Sequence, residues 1–100
     1  MFISVDADGR LALGEPDDFK RLHIAADGAM SVDDVGKALA SIARRDDNDF
    51  WIEVEALKKL SGRASDPAWE QNFTKMIASV EKFGWLSPDR QRVRCHIKTK

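Results

Sequence analysis

Cys95 is the single cysteine of the chain, and one of its two histidines, His96, follows it directly. A thiolate and an imidazole form a nucleophilic couple when they lie within hydrogen-bond reach of each other. The alternation of residues 92–98 predicts a strand, in which neighbouring side chains point to opposite faces. Cys95 and His96 therefore cannot pair directly, and His23 reaches either of them only through tertiary folding. The sequence predicts no catalytic residues, and we expect the protein not to be an enzyme.

The sequence supports a metal or cofactor site no better than it supports a catalytic site. Residues 46–49 contain three carboxylates, but a calcium loop that starts at Asp47 needs a glycine at position six and a glutamate at position twelve. Those positions hold Ile52 and Lys58. The two histidines and the cysteine lack the spacing of a zinc site, and the scattered glycines form no phosphate-binding loop. We expect no metal and no cofactor.

Cationic side chains alternate with apolar ones along residues 92–98. One face of the predicted strand is therefore basic, which favours an anionic partner. The alternative is an exposed edge strand, which charge protects from aggregation. The cationic positions are Arg92, Arg94, His96 and Lys98.

Composition places the chain among ordinary globular proteins. A length of 100 residues predicts a single domain spanning 1–100, and a hydrophobic content of 43% is typical of a folded core. The net charge of −1 requires neither a nucleic-acid nor a membrane partner, although carboxylates predominate in the first half and cations in the second. A lone cysteine is typical of a reduced, cytoplasmic protein, and no apolar run is long enough to span a membrane.

The N-terminal part, residues 1–28, is predicted to be mostly β-structure. Phe2–Val5 and Arg10–Leu13 flank a turn signal at Asp8-Gly9, which predicts a β-hairpin or a small meander. Residues 19–25 fit either a third strand or a short helical turn opened by Pro16, and the pattern leaves both open.

Three helices are predicted after this part, over residues 31–45, 54–61 and 67–83. The first has a capping-box spacing at Ser31 and Asp34, and Arg44 and Arg45 occupy its predicted last turn. The third carries an apolar stripe at helical spacing, with an N-cap aspartate before Pro67 and Gly84 after its end. Strands are predicted at 50–52, between the first two helices, and in a C-terminal β-hairpin formed by 85–86 and 92–98. The fold class is therefore α+β.

The order of elements over residues 31–97 resembles the winged helix-turn-helix. The strand 50–52, the helix 54–61 and the segment 83–86, which leads into a wing with Pro88-Asp89-Arg90 at its tip, carry the resemblance. The resemblance implies a third helix in the DNA major groove and wing cations on phosphates. The implied groove residues are Gln71, Asn72, Thr74 and Lys75, and the implied wing residues are Arg90, Arg92 and Arg94.

The charges of the third helix decide the order of the functional hypotheses. Two glutamates balance two lysines on its solvent side, whereas a DNA-reading helix normally carries excess positive charge. A non-catalytic protein–protein interaction module is therefore the first hypothesis, with a homodimer through an exposed sheet edge as one form. A DNA-binding regulator of winged-helix type is the second, and a small enzyme or ligand-binding domain the third. Residues predicted to contact an anionic partner or nucleic acid are Asn72, Lys75, Arg90, Arg92, Arg94 and Lys98.

Three tryptophans, Trp51, Trp69 and Trp85, fit core positions of this arrangement. Tryptophan is also enriched where proteins contact partners. Trp69, in the first turn of the third helix, is the predicted aromatic contact if one of the three is exposed.

Overall fold

The structure is a computed structural model that describes residues 1–20 and 22–99. Six strands and three helices lie within these residues, which confirms the α+β class. None of the helices in these two ranges is long and apolar enough to cross a membrane. The strands are β1 (Phe2–Val5), β2 (Leu11–Gly14), β3 (His23–Ala26), β4 (Ala43–Asp46), β5 (Asp49–Glu53) and β6 (Arg92–Thr99); the helices are α1 (Val32–Leu39), α2 (Val54–Ser61) and α3 (Pro67–Glu81).

The six strands form one mixed sheet in the order β2-β1-β3-β6-β5-β4. The β1–β3 and β3–β6 pairs are parallel, and the other three pairs are antiparallel. β6 comes last of the six in sequence, but it lies in the middle of the sheet between β3 and β5. The sheet is therefore larger than the two hairpins that the sequence predicts, and it joins residues from both parts of the chain.

β1 and β2 form the predicted N-terminal hairpin, with Val5 opposite Leu11. The Asp6 carboxylate closes the turn, because it accepts hydrogen bonds from the backbone N–H groups of Asp8 and Arg10 at 3.0 and 2.9 Å. The segment that the sequence leaves open at 19–25 contributes to a strand. β3 begins there at His23 and pairs in parallel with β1.

α1 begins where the sequence predicts and ends six residues earlier. The Ser31 hydroxyl accepts the N–H of Asp34, and the Asp34 carboxylate accepts the N–H of Ser31, each at 3.1 Å. The predicted helix extends to Arg45, but α1 ends at Leu39, and Arg44 and Arg45 lie in β4. The antiparallel ladder with β5 satisfies the backbone groups of these residues in place of helical hydrogen bonds. This part of the prediction is wrong.

α2 has the predicted bounds, and α3 begins at the predicted residue. The Asp66 carboxylate accepts hydrogen bonds from the backbone N–H groups of Ala68 and Trp69 at 3.1 and 3.3 Å. α3 ends at Glu81 rather than Phe83, and a turn leads to Gly84, which has a left-handed φ of +75°.

The first strand of the predicted C-terminal hairpin is reduced to a single bridge between Leu86 and Val93. The Arg94 N–H donates to the Trp85 carbonyl at 2.7 Å, and the Ser87 N–H donates to the Arg92 carbonyl at 2.9 Å. Beyond this bridge β6 pairs with β5 on one side and with β3 on the other. The predicted hairpin is thus one corner of the larger sheet.

β6 shows the predicted alternation of side chains. Val93 and Cys95 are buried, whereas Arg94, His96 and Lys98 are exposed. The buried positions belong to one hydrophobic cluster that includes side chains of α1, α2 and α3. Because β6 is a central strand, its charges do not protect a sheet edge, and that interpretation of the basic row is wrong. The edges of the sheet are β2 and β4.

Candidate interaction surface

The exposed face of β6 brings together Arg94, His96 and Lys98. The Arg94 guanidinium is neutralised by Asp49 on β5, with Nε and Nη2 at 2.8 and 2.7 Å from one carboxylate oxygen. Lys98 forms no ion pair with any residue that the structure describes. The uncompensated positive charge of this face therefore lies toward the end of β6.

Arg90 and Arg92 lie together at the opposite end of β6. Arg90 has a left-handed φ of +61°, and its guanidinium lies 2.6 Å from a carboxylate oxygen of Glu81. Arg92 is half-buried and pairs across the sheet with Glu53. Glu81 thus offsets the charge of Arg90, whereas Arg92 forms no ion pair with a described residue.

Asn72 and Lys75 are exposed on α3. Lys75 borders a shallow depression on this helix that also includes Glu70, whose carboxylate lies 3.2 Å from the Lys58 ammonium. The six predicted polar contact residues therefore fall into three separate groups, on α3, at the start of β6 and toward its end.

Trp69 is buried, which contradicts its predicted role as an exposed aromatic. Only 3% of the residue is accessible, and its indole N–H donates to the Pro16 carbonyl at 2.7 Å. Its ring stacks on Phe73, with centroids 4.8 Å apart, and contacts Phe19 at 6.1 Å. The physical reason is the segment after β2, which covers the first turn of α3.

The exposed aromatic residues are Phe83 and Trp85, which are 59% and 44% accessible. Their ring centroids lie 5.0 Å apart, and the Lys82 ammonium lies 5.3 Å from the centre of the Phe83 ring. The hydrogen bond from Arg94 to the Trp85 carbonyl holds this pair beside β6. We call Lys82, Phe83, Trp85 and Lys98 the aromatic–basic surface.

Sequence reasoning missed the exposed pair, although one signal was present. Residues 85 and 86 were assigned to a strand, where neighbouring side chains face opposite ways. Trp85 and Leu86 therefore cannot both be buried in one core, and Leu86 is the buried one. Phe83 lies beyond the last turn of α3, where the helical stripe no longer determines which residues face the core.

A cleft of about 200 Å³ opens between α3, Trp85 and β6. We call it the β6 cleft. Apolar side chains of α3 line it on one side, including Met76, Ile77 and Val80. Lys20, Arg94 and Lys98 contribute the charged part of its lining.

His23 also lines the β6 cleft, and its ring stacks on Phe2 with centroids 5.5 Å apart. Its Nδ1 atom is buried and has no hydrogen-bond partner among the described residues. Burial lowers the pKa of His23, and the positive charges of Lys98, the amino terminus and His96 lower it further. His23 is therefore a neutral imidazole near pH 7, in a region of positive potential.

The chemistry of Cys95 is suppressed by its position in the core. The residue is 1% accessible, and burial raises the pKa of its thiol to about 12, with a further contribution from Asp49. Cys95 is therefore a protonated thiol at neutral pH, and a thiol in this state is a poor nucleophile. His96 lies on the opposite face of the strand.

The acidic segment 46–49 comprises the turn between β4 and β5 and the strand residue on each side of it. The Asp46 carboxylate accepts the indole N–H of Trp51 at 3.1 Å, and Asp49 pairs with Arg94. Asp47 adopts a left-handed φ of +58°, and its carbonyl accepts the Arg45 Nε–H at 2.8 Å. Within residues 1–20 and 22–99, no three side chains of the histidine, cysteine, aspartate or glutamate type are placed to hold a metal ion.

No protein-family model matches the chain, and neither the curated proteins nor the solved structures contain a match to it. The functional argument therefore depends on the residues of this chain. They provide an exposed aromatic pair, uncompensated lysines and an apolar cleft, and this combination is suited to binding.

Proposed function

We propose that this protein is a non-catalytic interaction module, and that its aromatic–basic surface binds an acidic protein partner. The exposed pair Phe83 and Trp85 carries the proposal, because no other large hydrophobic side chain among the described residues is exposed. Aromatic residues, tryptophan above all, are enriched at the centres of protein interfaces. A cytoplasmic location is part of this proposal, and the lone Cys95 supports it.

Charge favours an acidic partner over a second copy of the chain. Lys82 lies beside the Phe83 ring, and Lys98 lines the same cleft as Trp85. Neither lysine forms an ion pair with the described residues. A symmetric contact between two copies would bring these like charges together, which costs free energy. β6 is a central strand, so the aromatic–basic surface contains no free sheet edge, and the edges β2 and β4 lie elsewhere in the sheet. We therefore expect a monomer in sedimentation experiments.

The test compares capture of partners by three forms of the protein. In one, Phe83→Ser and Trp85→Ser remove both exposed rings. In the matched control, Ala64→Ser and Ala68→Ser change two exposed residues near the start of α3. We expect the wild type and the control to retain the same acidic protein, with an affinity that falls as salt rises, and the double serine variant to lose it. Equal capture by all three forms, or a stable dimer, contradicts the proposal.

A winged-helix DNA-binding function is the second candidate. The Leu86–Val93 bridge and β6 follow α3 as a wing would, and β6 pairs antiparallel with β5, which lies between α1 and α2. This order supports the resemblance, and Asn72 and Lys75 are exposed where a recognition helix needs them. The pairing of Arg90 with Glu81 and of Arg94 with Asp49 weakens it, because phosphate contacts require free cations.

A backbone amide NMR titration with a mixed-sequence DNA duplex tests this second candidate. DNA binding predicts that the amides of Asn72, Lys75, Arg90 and Arg92 shift together at low salt and that the shifts fade at moderate salt. Amides that stay unchanged at low salt exclude this function.

A further inference from the structure

The β6 cleft has the shape and lining of a small-ligand site. Its volume is about 200 Å³, which equals the volume of about seven water molecules at about 30 Å³ each. Met76 and Ile77 are buried in its wall, and Val80 and Trp85 are partly exposed there. A dry wall of this kind favours a ligand with an apolar body.

The polar part of the cleft is positively charged. The ammonium groups of Lys20 and Lys98 form no ion pair with a described residue, whereas Arg94 is neutralised by Asp49. No aspartate or glutamate belongs to the lining of the cleft within those residues. An anionic group would therefore gain charge-assisted hydrogen bonds there and would meet no repulsion from the wall.

The His23 imidazole adds a second, independent observation. Its Nδ1 atom is buried without a partner, although buried polar atoms in folded proteins nearly always have one. Because the atom is closed to water in this structure, a ligand oxygen reaches it only when the imidazole ring turns toward the cleft, and the tautomer with hydrogen on Nδ1 then donates to that oxygen. Burial and the surrounding positive charges keep the imidazole neutral, so the site does not depend on a histidine cation.

We propose that the β6 cleft binds a small monocarboxylate whose apolar body contains about five to eight carbon atoms. The apolar body occupies the space beside Met76, Ile77 and Val80, and the carboxylate lies among Lys98, Lys20 and His23. This inference goes beyond the proposed function, because it requires no protein partner. Its test also leaves Phe83 and Trp85 unchanged, so either proposal can fail while the other holds.

The experiment uses hexanoate as the probe and hexanamide as the uncharged molecule of the same shape. Both are titrated into the 15N-labelled wild type up to about 10 mM, a range that detects millimolar affinity. We expect saturable shifts of the amides of His23, Val80 and Lys98 with hexanoate. Because a hydrogen bond to a charged group is worth more than about 1.4 kcal/mol, hexanamide should bind at least about tenfold more weakly.

Two lysine variants test the location of the carboxylate. Lys98→Met keeps the aliphatic stem and removes the charge, so hexanoate should bind about tenfold more weakly than to the wild type. Lys59→Met is the matched control, because Lys59 is an exposed lysine of α2 outside the cleft. This variant should bind hexanoate with the affinity of the wild type. A dispersed amide spectrum of each variant shows that it is folded.

The pKa of His23 provides a readout that does not depend on affinity. A bound carboxylate brings negative charge close to the imidazole, so saturation with hexanoate should raise the pKa of His23 in an NMR titration. The other charged groups that act on this imidazole are Lys98 and His96 on β6, the amino terminus of Met1, and Glu15.

Any of four results would overturn the proposal. The first is the absence of saturable shifts with hexanoate, and the second is equal binding of hexanoate and hexanamide. The third is unchanged affinity in Lys98→Met, and the fourth is an unchanged pKa of His23 at saturation.

Discussion

At the scale of single residues, Trp69 combines stacking with one buried hydrogen bond. Trp69→Phe keeps an aromatic ring beside Phe73 but leaves the Pro16 carbonyl without its donor. We expect this change to lower the free energy of unfolding by about 1–3 kcal/mol, because a buried acceptor loses its partner. Urea denaturation measures the effect. Trp85→Phe is the control, and since Trp85 makes no such bond, its change should stay within about 0.5 kcal/mol.

The raised pKa of the Cys95 thiol predicts that the stability of the fold decreases at alkaline pH. Its thiol has a pKa of about 12 in the fold, whereas its ordinary value is 9.0. The unfolded chain therefore binds fewer protons than the folded protein between these pH values, and stability should fall as pH rises from 9 to 12. Other groups titrate in the same range, so the comparison is with Cys95→Ala. The variant should lose stability less steeply with pH, and parallel curves for the two proteins would refute this account.

At the scale of elements, alanine substitutions at two glycines should change the stability of the protein in opposite directions. Gly36 lies inside α1, and an added Cβ would lie 3.6 Å from the Phe50 ring, which is ordinary contact. Gly36→Ala should stabilise the protein by about 0.5–1 kcal/mol, because alanine loses less backbone entropy in a helix. Gly62 ends α2 with a left-handed φ of +69°. Gly62→Ala should destabilise by about 1 kcal/mol, because that conformation is strained for an L side chain. Thermal unfolding measures the stability of both variants. A change of stability in the same direction in both would contradict this argument.

The cap of α1 provides another prediction at this scale. Ser31→Ala removes the acceptor for the Asp34 N–H and should cost about 1 kcal/mol of unfolding free energy. Ser41→Ala is the matched control, because Ser41 is exposed in the turn after α1 and caps no helix. Guanidinium denaturation of both variants measures the difference. If Ser41→Ala lowered the free energy of unfolding by as much, loss of the helix cap could not be the cause of the effect.

Elements whose ends are fixed by local chemistry could be predicted from the sequence. The turn of the first hairpin, the bounds of α2 and the start of α3 depend on Asp8-Gly9, Gly62 and Asp66, and these signals act within a few residues. The end of α1 depends on distant pairing. Ile42 continues the helical stripe of α1, yet its carbonyl accepts the N–H of Glu53, and the chain turns to form β4. The residues near Ile42 contain no sequence signal that predicts this pairing.

For the interaction surface, too, local patterns could be predicted from the sequence and contacts between distant segments could not. The alternation along β6 was predicted from its sequence because it is a local pattern. The proximity of His23, Val80 and Lys98 was not, because their elements meet only when the sheet is complete. The exposure of Phe83 and the burial of Trp69 depend likewise on where segments distant in sequence pack.

At the scale of the whole molecule, the N-terminal strands are part of one cooperative unit. β3 pairs with β6, and Ile3, Ile24 and Phe73 belong to one buried cluster. Deletion of residues 1–28 exposes one side of β6 and removes part of that cluster. We therefore expect residues 29–100 alone to lack a folded structure, with poor amide dispersion in NMR. A cooperatively unfolding fragment would instead support an autonomous winged-helix domain.

The central position of β6 has a consequence for synthesis. β1, β2 and β3 leave the ribosome first, and Ile24 can pair with Ile3 at once, but its partner on β6 exists only when Ile97 has been made. Pairing over this length of chain closes a long loop, and such contacts form late in folding. Until then the apolar face of the early strands stays incompletely covered and prone to non-native contacts. Translation that stops short of β6 should therefore yield a chain that quality-control proteases recognise as unfolded.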